Sequence, residues 1–353
     1  MIHFIEKLRK IRLPIFHSLS VYVDLGTAQT RFAIKDKGVV LRDATYLGYN
    51  TRFHEYIFFG LEAKTIVGKT PEVIHIVRPL VHGILSDFDA EVAYIHHINQ
   101  QSIYPYLSQF KLLKPTLQAL TPIPSLATEI EKKAVEEALV KAGYNRVRSI
   151  EKSIATAAGC GFDVFSHQPR FIIDLGAGLV ELAIISGGGI VAEKTVRSGG
   201  DQMNKVIGNY LRLKHGVLLG DLTCEELKIQ LLRFTGEDQS MTVRGKSLEN
   251  GLPKSIRVKS SDVREALLMT MNQIIDGAKE LVEMSPPEIA DSVYNEGITL
   301  AGGMAGVEGI ADFFSKELGV PVQIAERFAD ATIYGLIELD KHPENVYKLI
   351  GYR

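Results

Sequence analysis

One strand-turn-strand pattern occurs twice in this chain, and the repetition restricts the fold more than any other feature. Val21-Tyr22-Val23-Asp24-Leu25-Gly26-Thr27-Ala28-Gln29-Thr30-Arg31-Phe32-Ala33-Ile34 returns as Phe171-Ile172-Ile173-Asp174-Leu175-Gly176-Ala177-Gly178-Leu179-Val180-Glu181-Leu182-Ala183-Ile184, with Asp, Leu, Gly, Ala and Ile in register. Each copy is a β-branched, apolar run, a tight glycine-containing turn and a second apolar run, which reads as a β-hairpin. Small residues in such a turn let backbone N–H groups approach an anion and form a nest for phosphate. Asp24 and Asp174, each closing a first strand, bring a carboxylate to the same place. There they would hold Mg2+ through water, because Mg2+ usually keeps several of its waters. A single copy fits an ordinary hairpin equally well. Two copies in register point to loops that face each other and clamp a triphosphate from both sides.

A third glycine cluster follows near the end of the chain. Ile298-Thr299-Leu300-Ala301-Gly302-Gly303-Met304-Ala305-Gly306 is a strand running into small residues, with helical spacing after it at Ile310, Phe313, Phe314 and Leu318. A glycine loop at a helix start suits close approach of backbone to a nucleotide. With 353 residues and 46% apolar side chains, the chain exceeds what one core usually holds, so two lobes or more are expected. The net charge of −2 gives no strong field for nucleic acid. Two isolated cysteines, Cys160 and Cys224, fit a reduced cytosolic compartment and small buried side chains. No apolar run reaches the ~18 residues of a membrane span, and the N-terminus lacks the pattern of a secretory signal.

These three motifs, in this order, resemble the actin, DnaK-chaperone and sugar-kinase superfamily, and within it the chain is similar to MreB from about Val21 to about Leu336. The similarity extends to Lys37–Leu41, Gly60–Lys64, Gly68–Pro71, Arg78–Leu80, Gly83–Phe88, Ser198–Asp201 and Thr223–Lys228. The resemblance implies an α/β, actin-like fold of two lobes, each a mixed sheet with flanking helices and a small subdomain, with ATP in the cleft between them. It implies that Gly26, Thr27, Ala28 and Gln29 meet the phosphates from one lobe, and Gly176, Ala177 and Gly178 from the other. Glu225 and Lys228 would reach the ribose or adenine, and Gly302, Gly303, Met304 and Ala305 would line the adenosine pocket. Gly200 and Asp201 belong to the same implied site. Glu225 and Lys228 are three apart in a helical pattern and so share a face, as a solvated ion pair would also do.

Two positions depart from the MreB pattern. Where MreB sequences usually carry Glu-Glu-Pro, this chain reads Glu151-Lys152-Ser153, so Lys152 stands at the place of the Glu that positions the attacking water. Where a Thr usually follows the second glycine loop, this chain has Leu179. An ammonium accepts no hydrogen bond from water, and leucine offers none. Water positioning is worth ~10²–10⁴ in rate, so ATP binding with weak or absent hydrolysis is expected. Lys152 would instead contact the γ-phosphate. Glu151 would take over the water only if the backbone rotated, since strand neighbours point to opposite sides.

Met1 to Leu13 reads as a basic amphipathic helix ended by Pro14, with Phe4, Ile5, Leu8 and Ile11 on one arc and Lys7 and Lys10 outside it. It would either lie in an anionic membrane surface or pack on its own domain. The apolar tract Tyr104–Leu107 with Phe110, Leu112 and Leu113 is a second membrane-facing candidate, or is ordinarily buried. The expected division is an anchor helix at 1–16, a first lobe at 20–153 and 335–353 with a small subdomain at about 44–91, and a second lobe at 154–334 with a small subdomain at about 193–269. The resulting reading is a cytoplasmic protein, peripheral on the inner face of the cell membrane. It would pair with itself in protofilaments, touch membrane-anchored shape-complex proteins, and contribute to cell shape. A scaffold or filament paralogue serving motility or a cell-body ribbon is the alternative. A small-molecule kinase on the same fold would need a base, for which only Glu181 and Asp201 are available.

Overall fold

The structure, a computed structural model, describes residues 18–108 and 115–350. The amphipathic segment with Phe4, Ile5, Lys7, Leu8, Lys10 and Ile11 lies outside the described residues, as do Phe110 and Leu112. Of the second apolar tract, Tyr104–Leu107 forms a short helical turn, with Leu107 buried against the first core.

The chain opens with β1 (Ser18–Asp24), β2 (Gln29–Ile34) and β3 (Gly38–Ala44), a meander. A small antiparallel sheet of β4 (Leu47–Asn50), β5 (Glu55–Phe59) and β6 (Ile74–Val77) follows, with α1 (Gly60–Thr65) beside it. The two-residue pair β7 (Leu80–Val81) and β8 (Ile84–Leu85) then leads into α2 (Phe88–Ile98). β9 (Thr116–Ile123), α3 (Glu129–Lys141) and β10 (Arg146–Glu151) complete a five-stranded sheet of order β10-β9-β1-β2-β3. α3 is capped at its N-terminus. Thr128 and Glu131 form a reciprocal capping box, which satisfies two otherwise unpaired N–H groups.

α4 (Lys152–Gly159) carries the chain to the second sheet. That sheet uses β11 (Arg170–Leu175), β12 (Val180–Ser186), β13 (Gly189–Val196), β17 (Ile298–Ala301) and β18 (Val322–Ile324), in the order β13-β12-β11-β17-β18. Between β13 and β17 lie α5 (Gly200–His215), β14 (Val217–Leu218), α6 (Asp221–Leu231), β15 (Ser240–Ser247), β16 (Pro253–Lys259), α7 (Ser260–Glu283) and α8 (Pro287–Glu296). α9 (Ile310–Leu318) carries the apolar spacing that follows the third glycine cluster. Finally α10 (Ala331–Asp340) and α11 (Pro343–Ile350) return the tail to the first sheet, where α11 packs against β10.

The repeated hairpins occupy equivalent places. β1–β2 and β11–β12 are antiparallel pairs with matching register, Asp24 opposite Arg31 and Asp174 opposite Glu181. Side chains alternate across a strand. Val21 and Val23 therefore enter the first-lobe core and Phe171 and Ile173 the second-lobe core, while Tyr22 and Ile172 meet in a third cluster between the lobes. That central cluster is built on α4 and α10. Their backbones touch because both carry glycine at the crossing: a Cβ on Gly159 would collide with the Ala331 carbonyl oxygen, and one on Gly335 with that of Ala155. The architecture is the expected α/β, actin-like fold of two lobes.

Candidate nucleotide site

A cavity of about 520 Å3 opens between the two sheets. Its lining includes both hairpin turns, Gly26–Gln29 and Gly176–Leu179, together with Asp24, Lys152, Asp174, Glu181, Glu225, Lys228, Gly302, Gly303 and Met304. The turns come within van der Waals reach of each other. A Cβ on Gly178 would overlap the Thr27 side chain and crowd the Gly83 nitrogen, so only glycine lets the loops approach this closely. The Thr27 hydroxyl accepts a hydrogen bond from Gly83 N at 2.8 Å. Gly302 has φ +85, a conformation glycine tolerates, and a Cβ there would strike the Asp174 carboxylate. The third cluster thus closes directly on the second hairpin. Ala305 lies buried beside Met304, outside the lining.

The lobes are clasped across the cavity by charge. Arg78 of the first lobe donates to Asp201 of the second at 2.6 Å and to the Thr27 carbonyl at 3.0 Å. Lys64 on α1 reaches Glu225 on α6 at 2.8 Å. Glu225 therefore pairs across the cleft and not with Lys228, its neighbour on the same helix. Lys228 donates to the Gly200 carbonyl at 2.7 Å, and burial lowers its pKa to about 8. Gly200 and Asp201 thereby brace the site from behind its wall. The sequence motifs contained Lys64 and Arg78 but gave them no role. What marks them is a basic residue opposite an acidic one in the other lobe, and only the fold reveals that pairing.

Lys152 and Leu179 both line the cavity. Lys152 lines the cavity with its ammonium 2.6 Å from Asp174 and 2.7 Å from Glu181. Burial alone would lower its pKa, but the two carboxylates outweigh that and hold the ammonium well above the usual lysine range. Glu151 is the exposed N-cap residue of α4 and does not line the cavity. Leu179 is buried, and its side chain lies near Gly83 and Pro124. The lining thus shows no carboxylate free to hold a water for attack beside the second turn.

For Mg2+ the residues present fit poorly. Asp174 and Glu181 already share Lys152, and Asp24 faces Arg31 at 3.4 Å. Burial raises the pKa of Asp24, opposed by Arg31 and Lys152. Among the described residues no group of three or more His, Cys, Asp or Glu side chains is arranged to hold a metal ion. A kinase base fares no better. Glu181 is bound to Lys152 and accepts from Ser125 N at 3.3 Å, and Asp201 is bound to Arg78.

The MreB/Mbl protein family matches residues 18–348. The chain is 32% identical to the cell shape-determining protein Mbl of Bacillus subtilis over 91% of this chain and 97% of that one. It is 30% identical to the cell shape-determining protein MreB of Escherichia coli over 90% of this chain and 92% of that one. Among solved structures, MreB5 of Spiroplasma citri, crystallised with ADP and with AMPPNP, superposes with a TM-score of 0.87 at 29% identity, covering 94% of this chain and 98% of the other.

Proposed function

The chain belongs to the MreB/Mbl family, and from that membership we propose that it binds ATP in the interlobe cavity and assembles with itself into filaments on a membrane surface. The observation that carries the proposal is the meeting of two matched glycine turns at one cavity, with a third glycine turn closing on the second. Gly26–Gln29 and Gly176–Gly178 supply backbone N–H groups for the phosphates. Glu225, Lys228 and Gly302–Met304 border the nucleoside end. The solved relative in complex with ADP and with AMPPNP supports a nucleotide there. ATP is held with hydrolysis weak or absent, because Lys152 and Leu179 stand where water would need an acceptor. The small subdomains, about 44–91 and 193–269, flank the cleft mouth and carry the clasp residues Lys64, Arg78, Asp201 and Glu225. The basic amphipathic segment 1–13 supplies the membrane contact, and the position is cytoplasmic, at the inner face of the membrane. The engagement of Glu181 and Asp201 in ion pairs disfavours the kinase alternative.

One assay tests these parts together: pelleting of the full chain with and without ATP and anionic liposomes, with phosphate release followed on the same sample. ATP-dependent pelleting, liposome co-sedimentation that is lost on deleting residues 1–13, and little phosphate release are expected. A soluble monomer under every condition would overturn the filament reading. Rapid phosphate release would overturn the account of Lys152.

A further inference from the structure

We infer that Lys152 is a built-in cation which takes the place of a divalent metal, so that this site binds ATP almost equally well with and without Mg2+. The inference rests on the ATP-binding reading above and concerns what neutralises charge at the phosphate end.

Three carboxylates, Asp24, Asp174 and Glu181, line the cavity at that end. An anionic triphosphate entering beside them meets repulsion unless a cation intervenes. A metal ion would serve by bridging carboxylates and phosphate oxygens, usually through water. Here the bridging position is filled by protein. The Lys152 Nζ lies 2.6 Å from Asp174 and 2.7 Å from Glu181, within the range of charge-assisted hydrogen bonds. The third carboxylate, Asp24, faces the Arg31 guanidinium, which also donates to Asp330 at 2.7 Å. Each carboxylate that could recruit a metal therefore has a covalently tethered counter-charge already beside it.

Geometry and stoichiometry agree. An ammonium has three N–H donors, and two carboxylates engage two of them. The third remains for a phosphate oxygen at the turn that the same cavity surrounds. The lysine cannot diffuse away. It starts a helix whose backbone is locked against α10 at Gly159, so its position is set before the nucleotide arrives. A metal would have to displace Lys152 from two short ion pairs to reach Asp174 or Glu181. Removing one partner of such a buried pair is strongly unfavourable.

The test is a titration of the full-length protein with fluorescent mant-ATP, in excess MgCl2 and in excess EDTA. The expected dissociation constants differ by less than about threefold. In Lys152→Gln, binding with Mg2+ should be about tenfold or more tighter than in EDTA, and Lys152→Arg should restore the indifference of the parent. If the parent protein loses about tenfold or more of its affinity in EDTA, the inference fails, whether or not the glutamine variant folds. If the parent binds mant-ATP in neither condition, the nucleotide reading itself fails, and this inference with it. Calorimetric titration of MgCl2 into the nucleotide-free parent should give no heat of specific binding, and a saturable site on the free protein would likewise overturn it.

Discussion

Replacing Lys152 with Met strands two carboxylates in the same cleft wall. In the folded protein the Lys152 side chain is 20% exposed, while Asp174 and Glu181 are 8% and 4% exposed. Those values decide which energetic regime applies. An exposed ion pair is worth about 0–1 kcal/mol, whereas removing one partner of a buried pair costs about 3–5 kcal/mol because the remaining charge stays desolvated. The carboxylates are nearly inaccessible, so the second regime governs. Lys152→Met should destabilise the nucleotide-free protein by about 3–5 kcal/mol at neutral pH. The added change Glu181→Gln removes one of the two stranded charges and should recover about half of that loss, a coupling that only contacting residues show. Urea unfolding of the parent, the single variants and the double variant measures the cycle. The midpoints should move while the slope with urea stays constant. If Lys152→Met lies within about 1 kcal/mol of the parent, the ammonium behaves as a surface charge and the buried-pair argument is refuted.

Three further outcomes follow from other parts of the structure. Gly335→Ala forces a methyl onto the Ala155 carbonyl at the helix crossing between the lobes, and should cost at least about 1–3 kcal/mol, read as a lower melting temperature; an unchanged melt would contradict the close crossing. Lys228 is held at a pKa of about 8 by burial, so between about pH 8 and its unperturbed value the folded state binds fewer protons than the unfolded one, and stability rises with pH across that window. A nucleoside acceptor beside Lys228 favours its charged form, so ATP binding above pH 8 should take up protons, seen as observed heats that vary with the ionisation enthalpy of the buffer; the same observed heat in every buffer would argue against the contact. Glu91 is fully buried with neither carboxyl oxygen hydrogen-bonded to protein, and burial pushes its pKa up to about 8. Its folded state therefore holds a proton that the unfolded chain has lost. Stability falls as pH rises from about 4.5 to about 8, and Glu91→Leu should flatten that slope in urea unfolding followed across the same range.

The repeated hairpin was fully legible in the sequence because its signal is local. Alternating apolar residues, a glycine turn and an aspartate lie within fourteen consecutive positions in each copy. The helix around Glu225 was legible from its spacing. What stayed hidden is long-range. Lys64 with Glu225 and Arg78 with Asp201 are separated by more than a hundred residues, and no periodicity links such partners. The need for glycine at 159 and 335 arises only once α4 and α10 are brought together. The burial of Glu91 on α2 is likewise decided by tertiary packing.

Lys152 shows how a locally unfavourable residue can mark a site. It is the first residue of α4, and the N-terminus of a helix carries partial positive charge that favours anions over cations. Its N-cap, Glu151, makes no side-chain capping bond, so nothing local compensates. Helix propensity and capping alone would select against lysine at this position by several tenths of a kcal/mol. The residue is tolerated because Asp174 and Glu181, on β11 and β12 of the other lobe, hold its ammonium from outside the helix. The compensation works only while the lobes remain in this relation. Lys152 therefore couples the charge of the phosphate site to the docking of α4 against the second sheet. Opening the cleft far enough to separate Lys152 from that sheet would expose two carboxylates to the triphosphate at the moment its counter-charge is withdrawn. Nucleotide release and loosening of the lobes should then occur together, and Lys152→Gln should accelerate release of mant-ATP in EDTA far more than in MgCl2. Equal acceleration in both would mean that the lysine acts on release through the fold alone.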